Sequence, residues 1–273
     1  MYFIKMNDIT EKLKSALILS CHDAYKFSDN KSHLIDAEYL LTVNAAKKIC
    51  ELNNYFGTPY KIYLEHSTET FATKCTPLIK KDNKAIPIFS KKTIRNISSN
   101  TDRDGKIDIC VYTPEAAYAL SDKPLCSIEI KGFRPSKDKV IDDLKRNLEY
   151  FSLAANTGRS ELPFNFFISL HNYSNTFTDD KENKNIEKIK RQYGSYLDEL
   201  SIPDEIHREI IAFTIKRGIL PHVNDIEAIQ LGLEGDEDFH FIGIIVRFHR
   251  KNIIRKIPSP SRLKITHITR RII

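Results

Sequence analysis

The chain has 273 residues, 41% hydrophobic and 29% charged, enough for one large core or a core with a smaller unit beside it. No stretch approaches the ~18 apolar residues of a membrane span, and the short run Ala16-Leu-Ile-Leu-Ser-Cys21 lacks a cleavage site, so neither a membrane segment nor a signal peptide is expected. The net charge of +6 is uneven: nine of the 42 Lys/Arg and no acid lie between Arg247 and Ile273, leaving 33 basic against 36 acidic side chains before them, and such an end suits a polyanion such as nucleic acid.

In chain order, Ile9, Leu13, Ala16 and Leu17 recur at helical spacing, with Cys21 one turn further, and predict a helix over 9–27. A polar break at 28–32 follows. Leu41, Ala45, Ile49 and Leu52 predict a second helix from about Asp36 to Asn53, with Glu38 at the head of its stripe. Gly57-Thr-Pro59 ends it, and residues 60–65 alternate as a strand. Residues 66–104 carry no readable period.

Two short strands come next. In 105–112, Ile107, Ile109 and Val111 form an apolar face and Asp108 points opposite. In 125–133, Cys126, Ile128 and Ile130 alternate with Ser127, Glu129 and Lys131. If the strands pair, two carboxylates and one amine converge above a common apolar layer. Two hard oxygen ligands beside a fixed cation are what a Mg²⁺-dependent phosphodiester cleavage site needs.

Ser136 is a candidate N-cap for a helix reaching about Ala155, with Val140, Leu144, Leu148 and Phe151 on one face. Residues 164–170, apolar on both faces, predict a buried strand. A polar stretch at 174–185 precedes two expected helices, at 185–200 and 204–217, separated by Pro203; 239–248 is the last expected strand. The natural packing is α/β or α+β, a central mixed sheet flanked by helices, with a helical C-terminal appendage. The domain reading is 1–32 an N-terminal helical segment, 33–171 the core, 172–246 the appendage with a returning strand, and 247–273 a basic segment.

Asp108 followed by Glu129-Ile130-Lys131 resembles the PD-(D/E)XK motif of the restriction-endonuclease-like nucleases, and the elements of 33–171 resemble that family's α-β-β-β-α-β core. Ile107 stands where the family often has proline. A second E-x-K triplet, Glu182-Asn-Lys184, lies in a polar run with no strand pattern around it. The resemblance implies that Asp108 and Glu129 ligate Mg²⁺, for which Mn²⁺ can substitute, with the Ile130 carbonyl as a third oxygen. It gives Lys131 the attacking water or the developing charge, and places Glu38 as the acid reaching in from the helix. Glu65 and Glu69 are rivals for that third acid.

The helix after Lys131 carries Lys145 and Arg146, candidate phosphate contacts. Its Asn147 and Tyr150 do not keep the spacing of the RecB-like branch, which disfavours that branch. Arg250, Lys251, Arg255, Lys256, Arg262, Lys264, Arg270 and Arg271 are the candidate DNA-binding residues of the basic segment. The implied activity is an endodeoxyribonuclease, acting on double-stranded DNA as a homodimer in restriction or anti-phage defence. A repair nuclease, or a binding module that lost catalysis, is the alternative, and a partner ATPase or methyltransferase stays open.

Five scattered cysteines without C-x-x-C predict free thiols and a cytoplasmic setting. The nine histidines are dispersed, without H-x-x-x-H, and predict no zinc site. There is no P-loop and no G-x-S-x-G.

Overall fold

The computed structural model of the chain describes residues 2–27, 38–56, 60–80, 94–95, 105–114, 122–174, 179–219 and 238–251. The first apolar stripe is longer than its spacing indicated. Helix α1 spans Tyr2–Phe27 and fully buries Met6, Ile9, Leu13, Ala16 and Leu17. Helix α2, Glu38–Cys50, packs on it through Leu41, Ala45 and Ile49, and Asn44 Nδ2 donates to Ser20 Oγ at 3.1 Å and Asp23 Oδ2 at 3.1 Å. The single turn α3, Asn53–Phe56, leads into strand β1, Lys61–Ser67.

The unread stretch that follows contains helix α4, Thr68–Cys75, begun by Ser67, whose hydroxyl accepts the Thr70 N–H. The acid-bearing strands are β2, Lys106–Pro114, and β3, Asp122–Phe133. Helix α5, Lys137–Ser152, then crosses the sheet; Ser136 stands at its N-cap but makes no side-chain cap bond. A small ribbon of β4, Ala154–Ala155, and β5, Gly158–Arg159, precedes β6, Phe164–Ser174. Helix α6, Asp179–Asp198, and strands β7, Ile206–Ile219, and β8, Asp238–Arg250, complete the described chain.

The six long strands form one mixed sheet in the order β1-β2-β3-β6-β8-β7. Only β3 and β6 run parallel, and α5 is the crossover that a parallel pair requires. The fold is α/β. One face of the sheet, with Ile109, Val111, Ile128, Ile130, Phe166, Ile168 and Ile245, lies under α1 and α2. The other, with Cys110, Tyr112, Phe167, Ile242, Ile244 and Val246, lies under α4, α5 and α6. Each fully buried large side chain contributes about 1.5–3 kcal/mol, so both helical layers are needed to hold the sheet. Ile107 packs with the second cluster and not with Ile109 and Val111, since it lies beyond the end of the β2–β3 ladder. All five cysteines are free, as their scatter indicated. No helix among the described residues is long and apolar enough to cross a membrane.

The main difference from the sequence reading is at 204–217, expected to be a helix. It is strand β7, paired with β8 from Ile206 against Arg250 to Ile219 against Asp238. Its run Ile210-Ile-Ala-Phe213 is apolar on consecutive positions, which fits helix and strand alike; the β-branched residues and the exposed hydrogen-bonding edge of β8 decide for strand. The region after 171 is therefore not a helical appendage: α6 covers one face, and β8 and β7 continue the same sheet. Likewise α1, assigned to a separate N-terminal segment, supplies part of the core over β6, β7 and β8.

Gly243 sits opposite Phe213 in that added ladder, and a Cβ there would lie 2.7 Å from Phe213 Cζ. Gly243→Ala is expected to cost about 1–3 kcal/mol by overpacking, read as a lower urea midpoint at unchanged slope. An unshifted midpoint would mean that Phe213 does not pack across the glycine.

Candidate active site

The β2–β3 ladder runs up to Ile109 opposite Ile128. One residue further, Asp108 Oδ2 accepts the Ile130 N–H at 2.6 Å, so a side chain replaces the next ladder bond. Strand alternation does the rest. Ile128 and Ile130 go to the α1–α2 layer, and Ser127, Glu129 and Lys131 go to the α5 side. Lys131 Nζ lies 3.2 Å from Glu38 Oε1 and 3.2 Å from Asp143 Oδ2, and donates to the Ile130 carbonyl at 2.9 Å. Glu38, the first residue of α2, also accepts the Gly132 N–H at 3.4 Å through Oε2. Asp108, Glu129, Lys131, the Ile130 carbonyl and Glu38 thus meet at one place. Of the three candidates for the third acid, Glu38 is the one that reaches Lys131. Glu65 and Glu69 are exposed on β1 and α4, and Glu65 has a left-handed backbone at φ 50°.

Two members of the cluster come from α5. Arg146 Nη1 lies 3.0 Å from Glu129 Oε1 and donates to the Lys106 carbonyl at 3.2 Å; its Nη2 lies 3.1 Å from Asp143 Oδ1. Arg146, read as a phosphate contact, is therefore bound within the protein. Asp143 escaped the sequence reading altogether. A signal was present: Asp143, Arg146, Asn147 and Tyr150 recur every three to four residues, a stripe beside the apolar one. Asn147 pins that stripe to the sheet. It accepts from Ser127 Oγ at 2.8 Å and donates to the Phe166 carbonyl at 2.9 Å, while Asn165 Nδ2 donates to the Asn147 carbonyl at 2.7 Å.

The acid-bearing face of these strands is covered rather than open to solvent. Glu129 is 1% exposed, under α5. Burial pushes its pKa up to about 8 even though Arg146 opposes the shift, and burial pushes Asp108 up to about 6 against the Ile130 N–H and Lys131. Asp143 is also raised by burial, with Lys131 and Arg146 pulling the other way. Burial pulls Lys131 down, but Asp143, Asp108 and Glu38 outweigh it, and its pKa lies above the ordinary lysine range. Glu38, Asp108, Glu129 and Asp143 against Lys131 and Arg146 leave two uncompensated negative charges when all six are ionised.

That donor set is all hard oxygen and its charge matches one divalent cation, which suits Mg²⁺. Arg146 Nε is buried with no hydrogen-bond partner, and Asp143 Oδ2 has only the 3.2 Å ion pair with Lys131, so the cluster is not fully satisfied internally. Among the described residues, no three of the acids bring their ligand atoms within 4.8 Å of one another; Lys131 and Arg146 stand between them.

The basic segment is described only at its start. Arg250 is taken up by the fold, its guanidinium donating to the carbonyls of Leu162, Phe151 and Ser160 at 3.1, 3.0 and 2.8 Å, so it is not an available phosphate contact. Lys251 is exposed. Arg255, Lys256, Arg262, Lys264, Arg270 and Arg271 lie outside the described residues. The second E-x-K triplet, Glu182 to Lys184, lies on α6 and away from the acid cluster. No family model, no curated protein and no solved structure matches this chain.

Proposed function

We propose that the chain is a Mg²⁺-dependent endonuclease that hydrolyses phosphodiester bonds in double-stranded DNA, acting in the cytoplasm in restriction or anti-phage defence. One observation carries the reading: Asp108, Glu129 and Lys131 lie close together on adjoining strands, and Lys131 pairs with Glu38 from a helix N-terminus. Asp108, Glu129 and the Ile130 carbonyl are the groups that would hold Mg²⁺, and Mn²⁺ could substitute. The bound ion would supply Lewis-acid polarisation of the phosphate and a more acidic water.

The chain's own groups do the rest. Asp108 spends Oδ2 on the Ile130 N–H, which fixes the carboxylate against the strand and leaves Oδ1 for a ligand. Lys131, kept protonated by three carboxylates, places a positive charge where phosphate charge develops, and so orients and stabilises rather than acting as a base. Glu38 holds that ammonium from the far side. Exposed Lys106 and Lys145 flank the centre on β2 and α5 and suit the phosphate backbone. A homodimer would let two such centres cut two strands.

The test is supercoiled plasmid incubated with the purified chain and Mg²⁺, Mn²⁺ or excess chelator. Nicking or linearisation that needs the ion is expected. One observation favours a second reading, a DNA-binding module without catalysis: Arg146 and Lys131 already pair with Glu129 and Asp143, so the acids are partly neutralised without a metal. No cleavage under any ion, with DNA binding that falls steeply with salt in chelator, would select that reading.

A further inference from the structure

We infer that the chain has a second metal site, a two-histidine, one-carboxylate centre for Zn²⁺ or a similar borderline divalent cation, formed by His207, Glu209 and His249 on β7 and β8. His207 and His249 are directly opposed in the β7–β8 ladder, with ring centroids 4.9 Å apart. Glu209, two residues after His207, projects from the same face. One ligand atom from each of the three lies within 4.8 Å of the other two. Ligands around tetrahedral zinc lie about 3.3 Å apart, so side-chain adjustment of roughly 1.5 Å closes the set.

The surroundings orient all three groups. His249 Nδ1 lies 3.2 Å from the Arg250 carbonyl; a carbonyl only accepts, so Nδ1 carries the proton and Nε2 is the lone-pair ligand. Arg247 approaches Glu209 with Nε at 2.8 Å and Nη2 at 2.6 Å, both on Oε2, which leaves Oε1 for the metal. Arg247 is itself held from α1, where Asn7 Oδ1 and Thr10 Oγ1 accept from Nη1 at 3.0 and 3.2 Å. Imidazole nitrogens suit Zn²⁺ better than Mg²⁺, which favours all-oxygen shells. His207 is exposed, so an entering ion meets it first and a fourth position stays open to water.

This centre is independent of the acid cluster. It lies on the α1 side of the sheet, whereas Glu129 lies on the α5 side. The two also differ in chemistry, nitrogen-rich against all-oxygen.

The test uses the full chain without an affinity tag, stripped with chelator and titrated with Zn²⁺ by calorimetry, with Co²⁺ absorbance reporting the coordination. One ion per chain is expected, with an affinity at least about tenfold weaker in both His207→Ala and Glu209→Gln. His207 is exposed and its replacement leaves the core intact, so lost binding there is not lost folding. Asp108→Asn is expected to keep the site, even if no cleavage activity is ever found. Absence of saturable Zn²⁺ binding would overturn the inference. So would binding that survives both β7 variants, or binding lost only in Asp108→Asn, which would place the ion at the acid cluster.

Discussion

Lys131→Met is expected to slow Mg²⁺-dependent plasmid cleavage by about 10²–10³-fold while Mg²⁺ binding is kept or tightened. The ammonium is not a metal ligand. Its removal takes one positive charge from among Glu38, Asp108 and Asp143, so the remaining acids attract a cation more strongly. Asp108→Asn is expected to fail differently. It removes a carboxylate ligand but keeps an oxygen that can accept the Ile130 N–H, so the strands stay joined while Mg²⁺ affinity falls by at least about tenfold and cleavage falls with it. The contrast is read by plasmid cleavage at several Mg²⁺ concentrations beside Mg²⁺ calorimetry, with far-UV circular dichroism confirming the fold. Native cleavage rates in Lys131→Met would remove the lysine from the chemistry, and with it the functional reading of the cluster.

Arg146→Ala is expected to destabilise the fold by about 3–5 kcal/mol, the usual result of stranding one partner of a buried ion pair. Arg146 is the cation on Glu129, which is 1% exposed, and it also bridges to Asp143. The loss should depend on pH with a definite sign. Glu129 has a folded pKa raised from the ordinary 4.5 to about 8, so the folded state holds its proton longer than the unfolded one. Stability from this group is therefore highest below the ordinary glutamate pKa and declines as pH rises to about 8. Without Arg146 the folded pKa moves higher still, and the decline continues above 8. Urea unfolding at pH 6 and pH 9 checks this: the gap between variant and native chain should be wider at pH 9. A gap that narrows at pH 9 would mean that Glu129 is ionised through water and not through Arg146.

Much of the centre was legible because strand alternation is a local rule. The order Ile128, Glu129, Ile130, Lys131 assigns faces whatever the rest of the chain does, and the α5 stripe predicted that helix correctly. Segment 204–217 shows where the rule weakens. A consecutive apolar run carries two periods at once, and only the open edge of β8 selects one of them. Glu38, Glu65 and Glu69 show a second limit: three acids near the ends of elements are equivalent on paper, and the packing of α2 on the sheet separates them.

The sequence by itself determined the amphipathic elements, the paired acid strands and the identity of Asp108, Glu129 and Lys131 as the groups that converge. These follow from periods of two and 3.6, which need no knowledge of distant residues. Only the tertiary structure decided that Glu38 meets Lys131 across 93 residues of chain, that α5 brings Asp143 and Arg146 over Glu129, and that His207 faces His249. Strand order and the register of long-range pairs set those meetings. They are settled by burial of both faces of one sheet, a property of the whole chain rather than of any window within it.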